Sequence, residues 1–189
     1  MWEALIEWDQ SLFLWLNNAG AKSFDPLFVA LSSTATNILV YLALAFFITY
    51  KNGWKSFFVL VFVVVLMIAF TDQITNLFKA GVGRLRPCHD PQIMDFVRLV
   101  KSSCGGRYGY FSAHAANSFA LASFFYLEVR KNHPKLPIVL FLLAGLIAYS
   151  RIYLGVHFPL DVLSGTLFGI GSGRLFGYLY PRLQNAING

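Results

Sequence analysis

The chain has 189 residues and a net charge of +6, yet only 13% of its residues are charged, while 57% are hydrophobic and 17% aromatic. That length fits one domain, and the apolar residues fall in blocks long enough to cross a bilayer, which takes about 20 residues each. The composition excludes an ordinary water-soluble domain and predicts an all-α, polytopic transmembrane helix bundle, one domain over residues 1–189, with membrane lipids rather than nucleic acid for partners.

In chain order, the N-terminus carries Glu3, Glu7 and Asp9 where a cleavable signal peptide would be basic, so the membrane blocks themselves are expected to direct insertion. Residues 2–18 mix Trp, Leu and Phe with acids and Asn at helical spacing, which predicts an interfacial helix rather than a full span. The first strong block, about Leu27 to Tyr50, is interrupted by Ser32, Ser33, Thr34, Thr36 and Asn37. A kink or partly re-entrant turn is expected there, where hydroxyls can satisfy freed backbone groups. The second block, Trp54 to Lys79, follows Lys51 and Lys55 and holds Asp72, Gln73 and Asn76 in its last turns. Polar groups at that depth should face the bundle interior or a wet cavity.

A polar loop, residues 80–111, comes next, and three further blocks follow it: Ser112 to Val129, Leu136 to Tyr153 and Pro159 to Tyr180. The prediction is five spans, or six if the N-terminal helix also crosses. Gly165, Gly169, Gly173 and Gly177 recur every four residues on one face of the last block, a small-residue stripe for close helix packing. Alternation of the spans puts Lys51, Lys55, Arg130, Lys131, Lys135 and Arg182 on one side. It puts Lys79, the loop, Ser112, Arg151 and His157 on the other. The positive-inside rule makes the first side cytoplasmic, and the loop's own cations oppose it unless they serve another purpose.

Those cations are Lys79, Arg84, Arg86, Arg98, Lys101 and Arg107. They read either as a solvated loop at an anionic membrane surface or as the seat of an anionic substrate. Cys88 and Cys104 lie in the same loop, either as free thiols or as a disulfide in an oxidising compartment.

Three clusters at span ends on this side have the residue types that phosphoryl transfer needs. In Lys79-Ala-Gly-Val-Gly-Arg84-Leu-Arg86-Pro87, Lys and Arg can neutralise phosphate oxygens, and Gly81 and Gly83 allow a tight turn. In Phe111-Ser112-Ala113-His114, Ser112 is a natural N-cap, so the amides after it point towards the loop as a phosphate site, with His114 in the first turn as a proton donor. In Ser150-Arg151-x5-His157-Phe-Pro159-Leu-Asp161, Pro159 suits the first helical position. Asp161 then lies close enough to accept a hydrogen bond from His157 and raise the nucleophilicity of its other nitrogen. His89 and His133 have no such company, and the carboxylates are too scattered for a metal site.

Together the clusters resemble the tripartite signature of the type 2 phosphatidic acid phosphatase (lipid phosphate phosphatase) superfamily, which also includes glucose-6-phosphatase and the vanadium haloperoxidases: Lys-x6-Arg-Pro, Pro-Ser-Gly-His and Ser-Arg-x5-His-x3-Asp. Lys79, Arg86 and Pro87 match the first part, and Ser150, Arg151, His157 and Asp161 the third. In the second, Phe111 stands for Pro and Ala113 for Gly, which leaves the backbone shape at residue 113 open, while Ser112 and His114 are kept. The resemblance implies His157 as nucleophile, Asp161 as its orienting partner and His114 as general acid. It also implies that Lys79, Arg86, Arg151 and Ser112 hold the phosphate, with the Ala113 amide assisting, and that no metal or other cofactor is needed.

The implied protein is a small bacterial lipid phosphatase of the cytoplasmic (inner) membrane that works through a phosphohistidine, its site facing the periplasm or outside. Undecaprenyl pyrophosphate or phosphatidylglycerophosphate is the first expectation for the substrate, with lipid A as the alternative. A non-catalytic phospholipid-binding scaffold would need the cations but not His114, His157 and Asp161. A haloperoxidase is disfavoured because those relatives are soluble.

Overall fold

The computed structural model describes residues 2–188, with only the backbone of residues 186–188. Its helices are α1 (Trp2–Asn18), α2 (Asp25–Leu31), α3 (Thr34–Thr49), α4 (Gly53–Val82), α5 (Ala113–Val129), α6 (Leu136–Tyr153) and α7 (Pro159–Asn188), and short 3₁₀ turns punctuate the connections. Among the described residues there is no strand, only an isolated bridge between Leu85 and Tyr108.

The first apolar block is broken where its hydroxyls cluster. The segments Lys22–Leu31 and Thr34–Thr49 meet at 55° across Ser32 and Ser33. The groups freed by the break are satisfied locally: Ser33 Oγ accepts from the Thr36 amide at 3.4 Å, and Asn37 Nδ2 donates to the Leu31 carbonyl at 3.0 Å. The next helix, α4, runs beyond Lys79 to Val82 and stops at Gly83, whose φ of +64° supplies a left-handed C-cap and whose amide donates to the Lys79 carbonyl at 3.2 Å. Gly81 therefore lies inside the helix, and Gly83 makes the turn without it. At the other end of the chain α7 begins at Pro159 as expected, but it continues through Pro181 to Asn188 rather than stopping at Tyr180.

Gly53–Val82 and Leu136–Tyr153 are each long and apolar enough to cross a membrane, and the two pieces of the bent pair are so only when taken together as one span. The other two expected spans, α5 and α7, do not meet that test by themselves, because α5 has 17 residues and α7 is rich in glycine. They lie together inside the bundle. A Cβ at Gly165 would stand 2.5 Å from the Ser112 carbonyl oxygen, and one at Gly169 or Gly173 would collide with the carbonyl of Ala116 or Ala120. The glycine stripe thus lets α7 approach the α5 backbone directly. Leu60, Met67, Phe124, Phe125 and Leu140 fill the space between the surrounding helices. The outer surface remains apolar, with Phe58, Leu142 and Leu167 each more than 60% exposed, as expected where the solvent is lipid.

Helix α1 lies across one end of this bundle. Asp9, Phe13 and Asn17, four residues apart, form its buried face, and Trp2, Trp8 and Trp15 point outward. Asn17 Nδ2 donates to the carbonyls of Ile152 and Tyr153, both at 3.0 Å, and of Arg98 at 3.1 Å, while its Oδ1 accepts from the Arg98 amide at 2.8 Å. One side chain therefore ties α1 to the last turn of α6 and to the polar loop.

Candidate active site

The polar loop is held by its own backbone. The Arg86 amide donates to the Arg107 carbonyl at 3.1 Å and the Gly109 amide to the Arg84 carbonyl at 2.8 Å, closing the two ends of the loop on each other. Cys88 and Cys104 are paired, with Cα atoms 6.3 Å apart. His89 stands beside them, its nitrogen within 4.8 Å of both sulfurs, but a bridged pair offers no thiolate to a cation. The loop in turn grips Arg86: Nε donates to the Tyr108 carbonyl at 3.2 Å and Nη1 to the Cys104 carbonyl at 3.1 Å, leaving Nη2 for an anion. Pre-aimed guanidinium groups lose little freedom when they bind phosphate.

Opposite the loop, the α5 N-terminus is built as the serine predicts. Ser112 is fully buried, and its Oγ accepts from the Ala115 amide at 3.4 Å. The amides of Ala113 and His114 then have no partner within the helix. His114 Nε2 lies 3.2 Å from the Ser32 carbonyl, which can only accept, so Nε2 carries the hydrogen in this contact. The side chain of Ser32 is bound as well, its Oγ accepting from Arg151 Nη1. Arg151 is buried, and its Nε has no hydrogen-bond partner among the described residues. Such an N–H is costly to bury alone, and a phosphate oxygen would satisfy it.

His157 sits between α6 and α7 and is 2% exposed. Its Nδ1 is 3.5 Å from Asp161 Oδ2, longer than a hydrogen bond of about 2.7–3.2 Å. Asp161 is held elsewhere more tightly, with Oδ2 accepting from the Phe158 amide at 3.0 Å and Oδ1 from Arg84 Nη1 at 2.8 Å. Burial pushes the His157 imidazole well below its ordinary pKa, and the charges of Arg151, Arg86 and Lys79 push the same way, with the Gly109 backbone opposing. The ring is therefore neutral at pH 7, as a nucleophile must be.

Lys79, Arg86, Arg151, Ser112, His114, His157 and Asp161, distant in sequence, thus converge at one end of the bundle. The sequence reading missed several of their neighbours. Arg84 looked like one more loop cation but bridges Asp161 and Asp9. The Gly109 backbone packs against the His157–Asp161 pair, and Ser32 links Arg151 to His114. Arg98, by contrast, pairs with Asp25 at 2.5 Å and is spent on structure.

A cavity of about 430 Å³ opens from His114 and Ala113 between α3, α4 and α5. Its walls include Ile38, Leu42, Val61, Val65 and Ile68, and Asp72 and Asn117 are bonded together at its side at 2.9 Å. The PAP2 superfamily pattern matches residues 57–185, from the interior of α4 into the last turns of α7. The chain belongs to the PAP2 superfamily.

This PAP2 chain is 34% identical over 183 residues to the lipid A 4′-phosphatase of Porphyromonas gingivalis, covering 95% of the chain and 77% of that relative. It is 34% identical over 185 residues to the lipid A 4′-phosphatase of Bacteroides thetaiotaomicron, covering 97% of the chain and 81% of that relative. The crystal structure of Aquifex aeolicus LpxE, 29% identical, superposes with a TM-score of 0.66 over 88% of this chain and 92% of that one. The protein is a membrane-embedded PAP2 lipid phosphatase.

Proposed function

We propose that this phosphatase hydrolyses a phosphate monoester of a lipid A-type glycolipid through a phosphohistidine at His157. The observation that carries the reading is the junction of two unlike spaces: a pocket of fixed cations around a buried, neutral histidine, and an apolar cavity that begins at His114. The first suits a phosphate and the second a hydrocarbon chain attached to it. Nε2 of His157, the nitrogen turned away from Asp161, forms the N–P bond as the bond from phosphorus to the ester oxygen breaks. His114 gives a proton to the leaving oxygen, and water then attacks the phosphohistidine as His114 takes a proton from it, releasing inorganic phosphate and restoring both histidines. Lys79, Arg86, Arg151, the Ser112 turn and the Ala113 amide neutralise the oxygens throughout, and this positioning and charge balance is most of what phosphoryl transfer requires.

The sequence alone ranks undecaprenyl pyrophosphate and phosphatidylglycerophosphate first. Relatives named for lipid A over nearly the whole chain favour the alternative, and the order is reversed here. The test is phosphate release in detergent with EDTA present, over lipid A, phosphatidylglycerophosphate, undecaprenyl pyrophosphate and phosphatidic acid, for wild type beside His157→Ala. Release fastest from lipid A, and none by the variant, is expected. Faster release from another lipid would overturn the substrate, and none from any lipid by folded protein would favour the binding-scaffold reading.

The loop end is proposed to face the periplasm, with α1 in the plane of the interface. Phosphate binding accounts for Lys79 and Arg86, ion pairs with Asp9, Asp161 and Asp25 account for Arg84 and Arg98, and the Cys88–Cys104 pair belongs in an oxidising compartment. Mass spectrometry of protein isolated without reductant is expected to find the bridge intact. Two free thiols would remove this support for the orientation.

A further inference from the structure

Asp9, Arg84 and Asp161, from separate parts of the chain, stand in a row of alternating charge that ends on the candidate nucleophile, His157. Asp9 of α1 contacts Arg84 Nη2 through Oδ2 at 2.5 Å, Arg84 contacts Asp161 Oδ1 through Nη1 at 2.8 Å, and Asp161 Oδ2 faces His157 Nδ1 at 3.5 Å. Both carboxylates are fully buried. The row is fixed at its far end, where Asp9 Oδ1 accepts from the Leu160 amide at 2.9 Å in the first turn of α7. It is also fixed in the middle, where the Arg84 guanidinium lies 4.2 Å from the centre of the Phe158 ring, itself packed edge-on against Phe13 at 5.3 Å.

We propose that Asp9 is a positioning residue for catalysis, acting through Arg84 on the carboxylate that orients His157. This rests on the reading of His157 and Asp161 given above. A guanidinium shared between two carboxylates gives one arm to each. Without a negative Asp9 both arms are free to close on Asp161 in a bidentate pair, drawing Oδ2 from the imidazole and weakening its support of the ring as the N–P bond forms. Simple tethering of α1 does not explain a charge here. Asn17, two turns along the same face, makes four hydrogen bonds to neighbouring backbone without burying a charge, whereas a buried carboxylate costs solvation that a neutral amide does not. Asp9 also lies before the segment 57–185 that carries the family match, so it is an addition to the signature residues rather than one of them.

Three variants in the full-length protein test this: Asp9→Asn, Arg84→Gln and the two combined, each with kcat, KM and thermal midpoint measured in the same detergent. Asp9→Asn keeps the acceptor for the Leu160 amide and is expected to lower kcat about tenfold or more with KM changed less than about twofold, the signature of an interaction used in the transition state. The double variant, with no guanidinium left to capture Asp161, is expected to be no slower than Arg84→Gln alone. Wild-type kcat in Asp9→Asn would overturn the proposal, as would losses that multiply in the double variant or follow the thermal midpoint. Because His157→Ala in the same assay reports whether His157 is the nucleophile, failure of that reading is distinguishable from failure of this one.

Discussion

Gly109 has no side chain because there is no room for one. A Cβ there would lie 3.1 Å from Asp161 Oδ2 and 3.2 Å from Arg86 Cγ, close enough to press on both, and 3.5 Å from His157 Nδ1, in ordinary contact with the proposed nucleophile. The neighbours would have to give by a few tenths of an ångström, where a misplacement of about 1 Å costs on the order of 100-fold in rate. Gly109→Ala is therefore expected to lower kcat by about threefold to tenfold while the protein stays folded, and a wild-type rate in detergent would show that the pair tolerates the push. At this scale the sequence was legible where spacing set the pattern, as with Lys79, Arg86, Arg151, His157 and Asp161, which the fold brings to one end of the bundle. It was silent on Gly109, one glycine in a run of glycine and tyrosine, and on Arg84, two residues from Arg86 and indistinguishable from it by type. What separates those two arginines is the direction each side chain takes. Arg84 turns inward to carboxylates, and Arg86 is held by the carbonyls of Cys104 and Tyr108.

Helices inherit their tasks from small features at their ends. The Ser32–Ser33 break delivers a carbonyl and a hydroxyl to His114 and Arg151, groups an unbroken helix would have kept within its own ladder. The polar run was visible in the sequence, but not that it would meet residues more than 80 positions away. Below the break, α3 and α4 stand apart enough to leave the apolar cavity, and Ile38 on its wall is more than half exposed. Filling that space separates binding of the lipid chain from chemistry on the phosphate. Ile38→Trp is expected to raise KM for lipid A about tenfold, some 1.4 kcal/mol, and to leave hydrolysis of a soluble aryl phosphate within about twofold. Equal effects on both would place the tail elsewhere.

For the whole molecule, apolar block lengths gave the bundle, and the PAP2 match agrees with it. The ends were harder to read. The last block was expected to end at Tyr180, yet α7 runs on through Pro181, since a proline costs a helix one hydrogen bond and local bending rather than its continuation. The N-terminal helix was legible as amphipathic, but its buried face was not, because Asp9 and Asn17 find their partners 75 to 151 positions further on. Those separations also order events during synthesis. The first helix leaves the ribosome long before Ile152, Tyr153 and Leu160 exist, so its anchoring face lacks these partners until α6 and the first turn of α7 have been made. A chain halted before α7 would own Lys79, Arg86 and His114 yet lack the nucleophile's partner and the clasp across the bundle's end. Completion of the site is thereby tied to completion of the chain, and lipid in the surrounding bilayer meets a working phosphatase only after α7 has closed against the first helix.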